Sequence, residues 1–301
     1  MRAATENTYE NTERTMIVIV GCLIVLGAVL GGFTMAGGHV HSLLHPSEVV
    51  TIGGAALGAL VVMSPKKVLV DLAKGVLQAV KGSPFNKSAY RDLFKLLYDL
   101  LREARREGLL ALEPHISDPH NSTIFNKYPK LAHNHHVVTF ICGALAPVIE
   151  GTAKPEQLAT MLDTELRVIE EEHHAPLGVL QKTADALPGF GIVAAVLGIV
   201  ITMGAINGPV DEIGHKVGAA LVGTFLGILA SYGFFAPLAA RMEFLGAAEL
   251  SFFRTIACVV KGFVDDVPPK VAIEQARRGV GAENRPTRGE LDDLFKEAEA
   301  A

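Results

Sequence analysis

The sequence predicts an all-α, polytopic membrane protein with four transmembrane helices and a helical cytoplasmic domain. Two observations carry this. Half of the 301 residues are apolar and the mean hydropathy is +0.33, too high for an ordinary soluble domain. The apolar residues are also gathered in blocks: no Asp, Glu, Lys or Arg falls within 15–46, 49–65, 186–210 or 217–240. A membrane-spanning helix needs about 20 apolar residues. Three blocks exceed that, and the second reaches it when its helix starts near Ser47 or Glu48.

Taken in order, residues 1–15 ("MRAATENTYENTERT") are polar and aperiodic and are expected to be a disordered extension. The apolar core Met16–Ala36 is too long for a cleaved signal peptide, so 16–63 is expected to hold spans one and two. Residues 64–187 form a cytoplasmic helical loop domain. Leu93, Leu97, Leu100 and Ala104 give one helical stripe there, with Arg91, Lys95, Arg102 and Arg106 turned away. Pro155 suits a first helical turn, and Leu158, Met161, Leu162, Leu166 and Ile169 give a second stripe. "EPHISDPHNSTIFNKYPKLAHNHH" between them is rich in turn signals. These helices are expected to lack the apolar area for a large core of their own. Residues 188–240 hold spans three and four. The tail, 241–301, continues the fourth span to Val264, breaks at Pro268–Pro269 and ends acidic.

Charge orients the chain. Among the 27 Lys and Arg, only Lys216 falls in the connections after the first and third spans. The excess of positive charge on one side puts both termini and the long loop in the cytoplasm. The three cysteines (Cys22, Cys142, Cys258) lack disulfide or metal-ligand spacing and read as structural thiols. His133, His135 and His136, and His173 with His174, lack the i, i+4 spacing of zinc ligands and read as surface histidines. No nucleotide loop or nucleophile motif is present, so an enzyme, a metal centre, a cofactor or a nucleic-acid partner is not expected.

The third span, "LPGFGIVAAVLGIVITMG", carries small residues at Gly191, Ala195, Gly198 and Thr202, steps that define one helical stripe. The fourth pairs Gly223 with Gly227, extended by Ala219 and Ser231, with Thr224 beside them. Small residues at spacings of four permit close helix contact. Pro188 enters the third span and Pro237 leaves the fourth at the same depth. Ion transport ordinarily needs an intramembrane ionisable group, yet the chain offers only Glu48 at the outer end of the second span, where an interfacial position also accounts for it. An ion path would therefore borrow its carboxylate from another subunit, received by these small-residue faces.

"TMIVIVGCLIVLGAVLGGFTMAGG", "PGFGIVAAVLGIV", "VGTFLGILASYGFFAPLA" and "PPKVAIEQARRG…RPT" resemble the MotA family of flagellar motor stator subunits over about Met16–Glu290. The resemblance implies an inner-membrane complex with MotB, whose membrane helix supplies an ion-binding aspartate. It implies self-association of this subunit into a ring, a pentamer around a MotB dimer, that drives the rotor protein FliG. Residue by residue it implies rotor contact at Arg105 and Glu113. Pro188 and Pro237 become the prolines that permit movement, and Thr224 a lining residue of the ion path. Sodium-driven relatives place a threonine where this chain has Ala195, so the transported ion is expected to be H+. The alternatives are a proton-driven energiser of the ExbB or TolQ type and a non-conducting membrane scaffold. The former has three spans, with its long loop after the first.

Overall fold

A computed structural model describes residues 2–300, with side chains from 17 to 299. Its helices in chain order are α1 (Arg2–Met35), α2 (Pro46–Met63), α3 (Lys66–Lys81), α4 (Lys87–Glu107), α5 (Glu113–Ser117), α6 (Pro129–Ala132), α7 (His135–Ile149) and α8 (Pro155–Gly204). They continue with α9 (Val210–Ala230), α10 (Ala236–Val264), α11 (Pro269–Gly279) and α12 (Arg288–Ala300), and a π-helical turn, Ser231–Phe235, joins α9 to α10. No strand occurs among the described residues. Four helices are long and apolar enough to cross a membrane: Ile17–Met35, Val40–Met63, Pro155–Gly204 and Val210–Val264. Within the second, α2 begins at Pro46, at the first helical position where proline's missing N–H costs nothing. The chain is a multi-pass membrane protein.

Several expected boundaries shift. The backbone is helical from Arg2, where residues 1–15 were expected to be disordered; no Gly or Pro interrupts that stretch, so the first span's hydrogen-bond ladder extends through it. α8 runs unbroken through the expected 187/188 boundary. The chain forms two units instead, one up to Gly82 with Glu172–Leu245, the other Ser83–Glu171 with the residues from Gly246 onward.

The first unit has two small apolar clusters. Ile52, Ala56, Leu187 and Ala194 form one, and Leu72, Leu180 and Ala239 the other. Most remaining apolar side chains face outward, among them Ile192, Val193, Val196, Leu197, Val200 and Ile201 on α8, and none of the apolar stretch of α1 is buried. Such faces suit lipid or other chains rather than water.

The second unit corrects the expectation of a coreless loop. Its core is extensive, built from the α4 stripe together with Phe140, Ile141 and Leu145 of α7, and with Phe252, Phe253, Ile256, Val259 and Val260 of α10. α11 and α12 close it through Ile273, Leu291, Leu294 and Phe295. Of the α8 stripe, Leu158, Leu162 and Leu166 are buried, whereas Met161 is half exposed. The acidic terminus is therefore an amphipathic helix docked on α4. Lys95 Nζ meets Glu297 Oε2 at 2.5 Å, and Tyr98 Oη donates to Glu299 Oε1 at 2.8 Å. Burial, then that carboxylate, pushes the Tyr98 phenol up to about 12.

α12 starts with a reciprocal cap: the Thr287 N–H donates to Glu290 Oε2 at 2.6 Å, and the Glu290 N–H donates to Thr287 Oγ1 at 3.2 Å. The backbone N–H of Thr287, then Lys87, holds the Glu290 carboxyl down at about 2. Arg277, then Arg278, does the same for Glu274. Both values lie below the ordinary 4.5, so this stability is complete above pH 4.5 and is lost as the pH falls toward 2. Because both carboxylates are partly exposed, each is worth on the order of 1 kcal/mol. Thermal unfolding of the detergent-solubilised protein should weaken across that window, and the double substitution Glu274→Gln with Glu290→Gln should flatten the decline. An unchanged pH slope in the double variant would contradict this assignment.

Candidate functional site: the glycine seam and the charged corner

In the first unit, glycine sets how closely α8 and α9 approach. A methyl group on Gly227 would lie 2.6 Å from the Leu187 carbonyl oxygen and 2.9 Å from Gly191 Cα. One on Gly191 would lie 2.9 Å from the Gly223 carbonyl oxygen, and one on Gly198 would lie 2.7 Å from Ala220 Cβ. These separations exclude any side chain, so backbone lies on backbone. The stripe of Gly191, Gly198, Gly223 and Gly227, expected to pack helices, is engaged between two spans of the same chain. Thr202, on the same stripe, is buried and donates to the Gly198 carbonyl at 2.8 Å. Ala195 and Thr224 flank the seam, both half-buried.

The prolines sit in different local structures. Pro188 lies inside α8 rather than at the start of a helix. Its ring leaves the Ala184 carbonyl without the usual i−4 donor. Pro237, exposed, is the second residue of α10, immediately after the π-helical turn. A proline ring clashes with the carbonyl four residues earlier, here Gly233, and a widened turn accommodates it. Ser231 opens that turn; its Oγ is buried without a hydrogen-bond partner.

Among the described residues, Glu48 is the one acid within these spans that is buried. It is 7% exposed, in the first turn of α2, and not at an open interface. An apolar cavity of about 280 Å³ lies beside it, lined by Val49, Ile52, Ala56, Leu187, Leu226 and Phe235 among others.

In the second unit, the two residues implied as rotor contacts sit at one corner. Arg105, in the last turn of α4, is exposed; its Nη1 lies 2.7 Å from Asp266 Oδ1 and its guanidinium stacks 5.5 Å from the Phe263 ring centroid. Asp266 adopts a left-handed φ of 65° in the α10–α11 turn, a conformation Asp tolerates better than most residues. Gly108, with φ +93°, ends α4, and after the 3₁₀ turn Leu109–Leu112 the chain reaches Glu113, exposed at the start of α5. Arg106, Glu107 and Leu110 are exposed between them. The surface is mixed in charge with an apolar tip.

The histidine clusters make local contacts. His133 Nδ1 lies 2.5 Å from the Pro129 carbonyl, and His135 Nδ1 lies 3.1 Å from Thr139 Oγ1. No group of three or more His, Cys, Asp or Glu is placed to hold a metal among the described residues. Sequence reasoning missed His115, buried between Ser122 Oγ at 2.7 Å and Glu103 Oε1 at 3.1 Å. Ser122 Oγ also accepts the Phe125 N–H, so this chain of hydrogen bonds fixes the turn-rich stretch. The cysteines are free, and burial pushes the Cys142 thiol up to about 11, an unreactive state.

Comparison with known proteins places these features in a lineage. The family model for the motility protein A N-terminal region matches residues 19–108, and that for the MotA/TolQ/ExbB proton channel family matches 131–251. Motility protein A of Salmonella typhimurium is 34% identical over 278 residues, covering 92% of this chain and 94% of that protein. Chemotaxis protein LafT of Vibrio parahaemolyticus is 36% identical over 280 residues, covering 93% and 98%. Among solved structures, C. jejuni MotAB matches with a TM-score of 0.74 at 20% identity, over 91% of this chain and 99% of that one. The flagellar MotAB stator complex from Bacillus subtilis gives 0.68 at 23% identity, over 85% and 92%. At those identities the two structures establish the fold, and the curated relatives establish the kinship: the chain belongs to the motility protein A family.

Proposed function

We propose that this chain is the multi-pass subunit of a flagellar stator which, with MotB, forms a proton channel coupling proton influx to torque on the rotor protein FliG. It sits in the inner membrane with both termini cytoplasmic, and several copies, a pentamer, surround a MotB dimer. The observation that carries this reading is the chargeless pair of spans. α8 and α9 are locked together by glycine and bracketed by Pro188 and Pro237, yet hold no Asp, Glu, Lys, Arg or His from Ala186 to Ala205 or from Val217 to Ala230. Such a wall conducts only when a partner's helix brings a carboxylate to it. Ala195 offers no hydroxyl and Thr224 offers one, too few oxygens to replace the hydration shell of sodium, so the ion is a proton. Work is done when protonation of the partner's aspartate changes which face of this subunit its helix prefers, a two-state equilibrium biased by one charge.

Arg105 and Glu113 engage the rotor. Exposed charges of both signs steer and register a partner more than they hold it, so single changes weaken torque without dismantling the complex. In a strain lacking its own stator and supplied with this chain and its MotB, Arg105→Glu and Glu113→Lys should slow swimming while membrane levels stay normal. Unchanged swimming speed in both variants would refute the rotor assignment. Arg105→Glu also places a negative charge beside Asp266, and adding Asp266→Arg should restore the local pair without restoring torque.

A further inference from the structure

We propose that Glu48 is a proton-carrying group supplied by this chain itself, taking protons at the outer mouth of the path and passing them to the partner's carboxylate. The inference rests on the proton-conducting reading above. Glu48 is 7% exposed and its Oε2 is buried with no hydrogen-bond partner. That oxygen is aimed into the glycine seam: it lies 2.6 Å from the point where a Cβ on Gly223 would sit, a point also 3.0 Å from Ala194 Cβ and 3.4 Å from the Ala195 nitrogen. Gly223 thus leaves the room that the carboxyl occupies, at the crossing where Gly223 faces Ala194 and Ala195.

A packing role alone does not account for this residue. A buried polar atom without a partner forfeits its hydration, and native proteins rarely tolerate that without a use. An isosteric apolar residue would fill the same space at lower cost. A carboxyl that alternates between its ionised and protonated forms fits a site where charge is only transiently needed. The titratable group facing it is His45, one turn earlier, whose Nε2 lies 3.1 Å from the Ser42 carbonyl. α9 brings Gly223 against it, at a crossing with Ala194 and Ala195 of α8, none of which titrates. Val49 and Ile52, its neighbours on α2, line the largely apolar pocket, which brings no titratable group to the carboxyl.

The transfer balances simply. A hydronium ion from the outer solution gives its proton to the Glu48 carboxylate, leaving water and a carboxylic acid. The acid then gives that proton to the partner's carboxylate and returns to the ionised form. One proton moves inward per cycle.

The test is proton uptake by cells making the full chain with its cognate MotB, the plug segment of MotB removed so that the path stays open. Glu48→Gln should cut uptake by about tenfold or more while the complex purifies in normal amount. Glu48→Asp should retain part of the flux and shift the external pH of half-maximal uptake. Wild-type uptake with an equal rate in Glu48→Gln would overturn the inference and leave the stator reading intact. If Glu48→Gln fails to assemble, Glu48→Asp decides: a pH profile superimposable on the wild type overturns the inference. No uptake in the wild type itself would refute the conducting reading, and this inference with it.

Discussion

Gly227→Val should abolish swimming and lower the midpoint temperature at which the solubilised protein loses its monodisperse peak. Even the first carbon of the new side chain would lie 2.6 Å from the Leu187 carbonyl oxygen and 2.9 Å from Gly191 Cα. Both obstacles are backbone, so no rotamer change relieves them, and the two spans must separate. Overpacking of this kind costs about 1–3 kcal/mol when side chains can adjust, and here they cannot. Gly191→Val should behave alike, because it meets the same crossing from the other side. The comparison is Gly143→Ala on α7, where a methyl group meets nothing within 4 Å. Replacing that helical glycine should raise stability by up to about 1 kcal/mol. Equal thermal midpoints for Gly227→Val and the wild type would mean that α8 and α9 are not held by this seam.

Pro237→Ala should separate stability from function. The ring is tolerated only because the turn Ser231–Phe235 widens into a π-helix around the Gly233 carbonyl. Removing it lets the chain regain an ordinary helical hydrogen bond, so the variant should be at least as resistant to heat as the wild type. On the proposed function swimming should nonetheless fall severely, because the variant loses the widened turn that the proline imposes. Swimming at wild-type speed would show that the widened turn is a consequence of the proline and has no mechanical part.

The four spans were legible because a bilayer demands long uncharged runs, and 15–46, 186–210 and 217–240 admit no other reading. The packing function of Gly191, Gly198, Gly223 and Gly227 was legible for the same kind of reason: small residues at spacings of four serve close contact. Which helix they contact was not, since a stripe does not name its partner; within this chain it is the neighbouring span. The core of the second unit was missed because each helix was weighed alone. Leu93 or Leu158 is meagre on its own stripe, but α4, α7, the far half of α10 and α12 each contribute one face, and the faces sum. α12 also carried a readable signal, Thr287 three residues before Glu290, the spacing of a reciprocal cap. Glu48 was visible as an acid at the end of the second span, whereas its burial depends on Gly223, 175 positions away in the chain, which no local pattern encodes. Arg105 owes its assignment to resemblance; its pairing with Asp266 follows from a left-handed turn that sequence does not announce.

The central claim is that this chain builds a proton path around a carboxylate it does not own. Proton uptake by cells making it with cognate, plug-free MotB tests that most directly, measured with MotB intact and with its membrane aspartate changed to asparagine, at low and high external sodium. The account predicts acidification with the aspartate, none without it, and rates indifferent to sodium. Uptake that persists with asparagine, a rate that follows sodium at fixed proton-motive force, or an intact complex that passes nothing would contradict it, the last favouring a membrane scaffold.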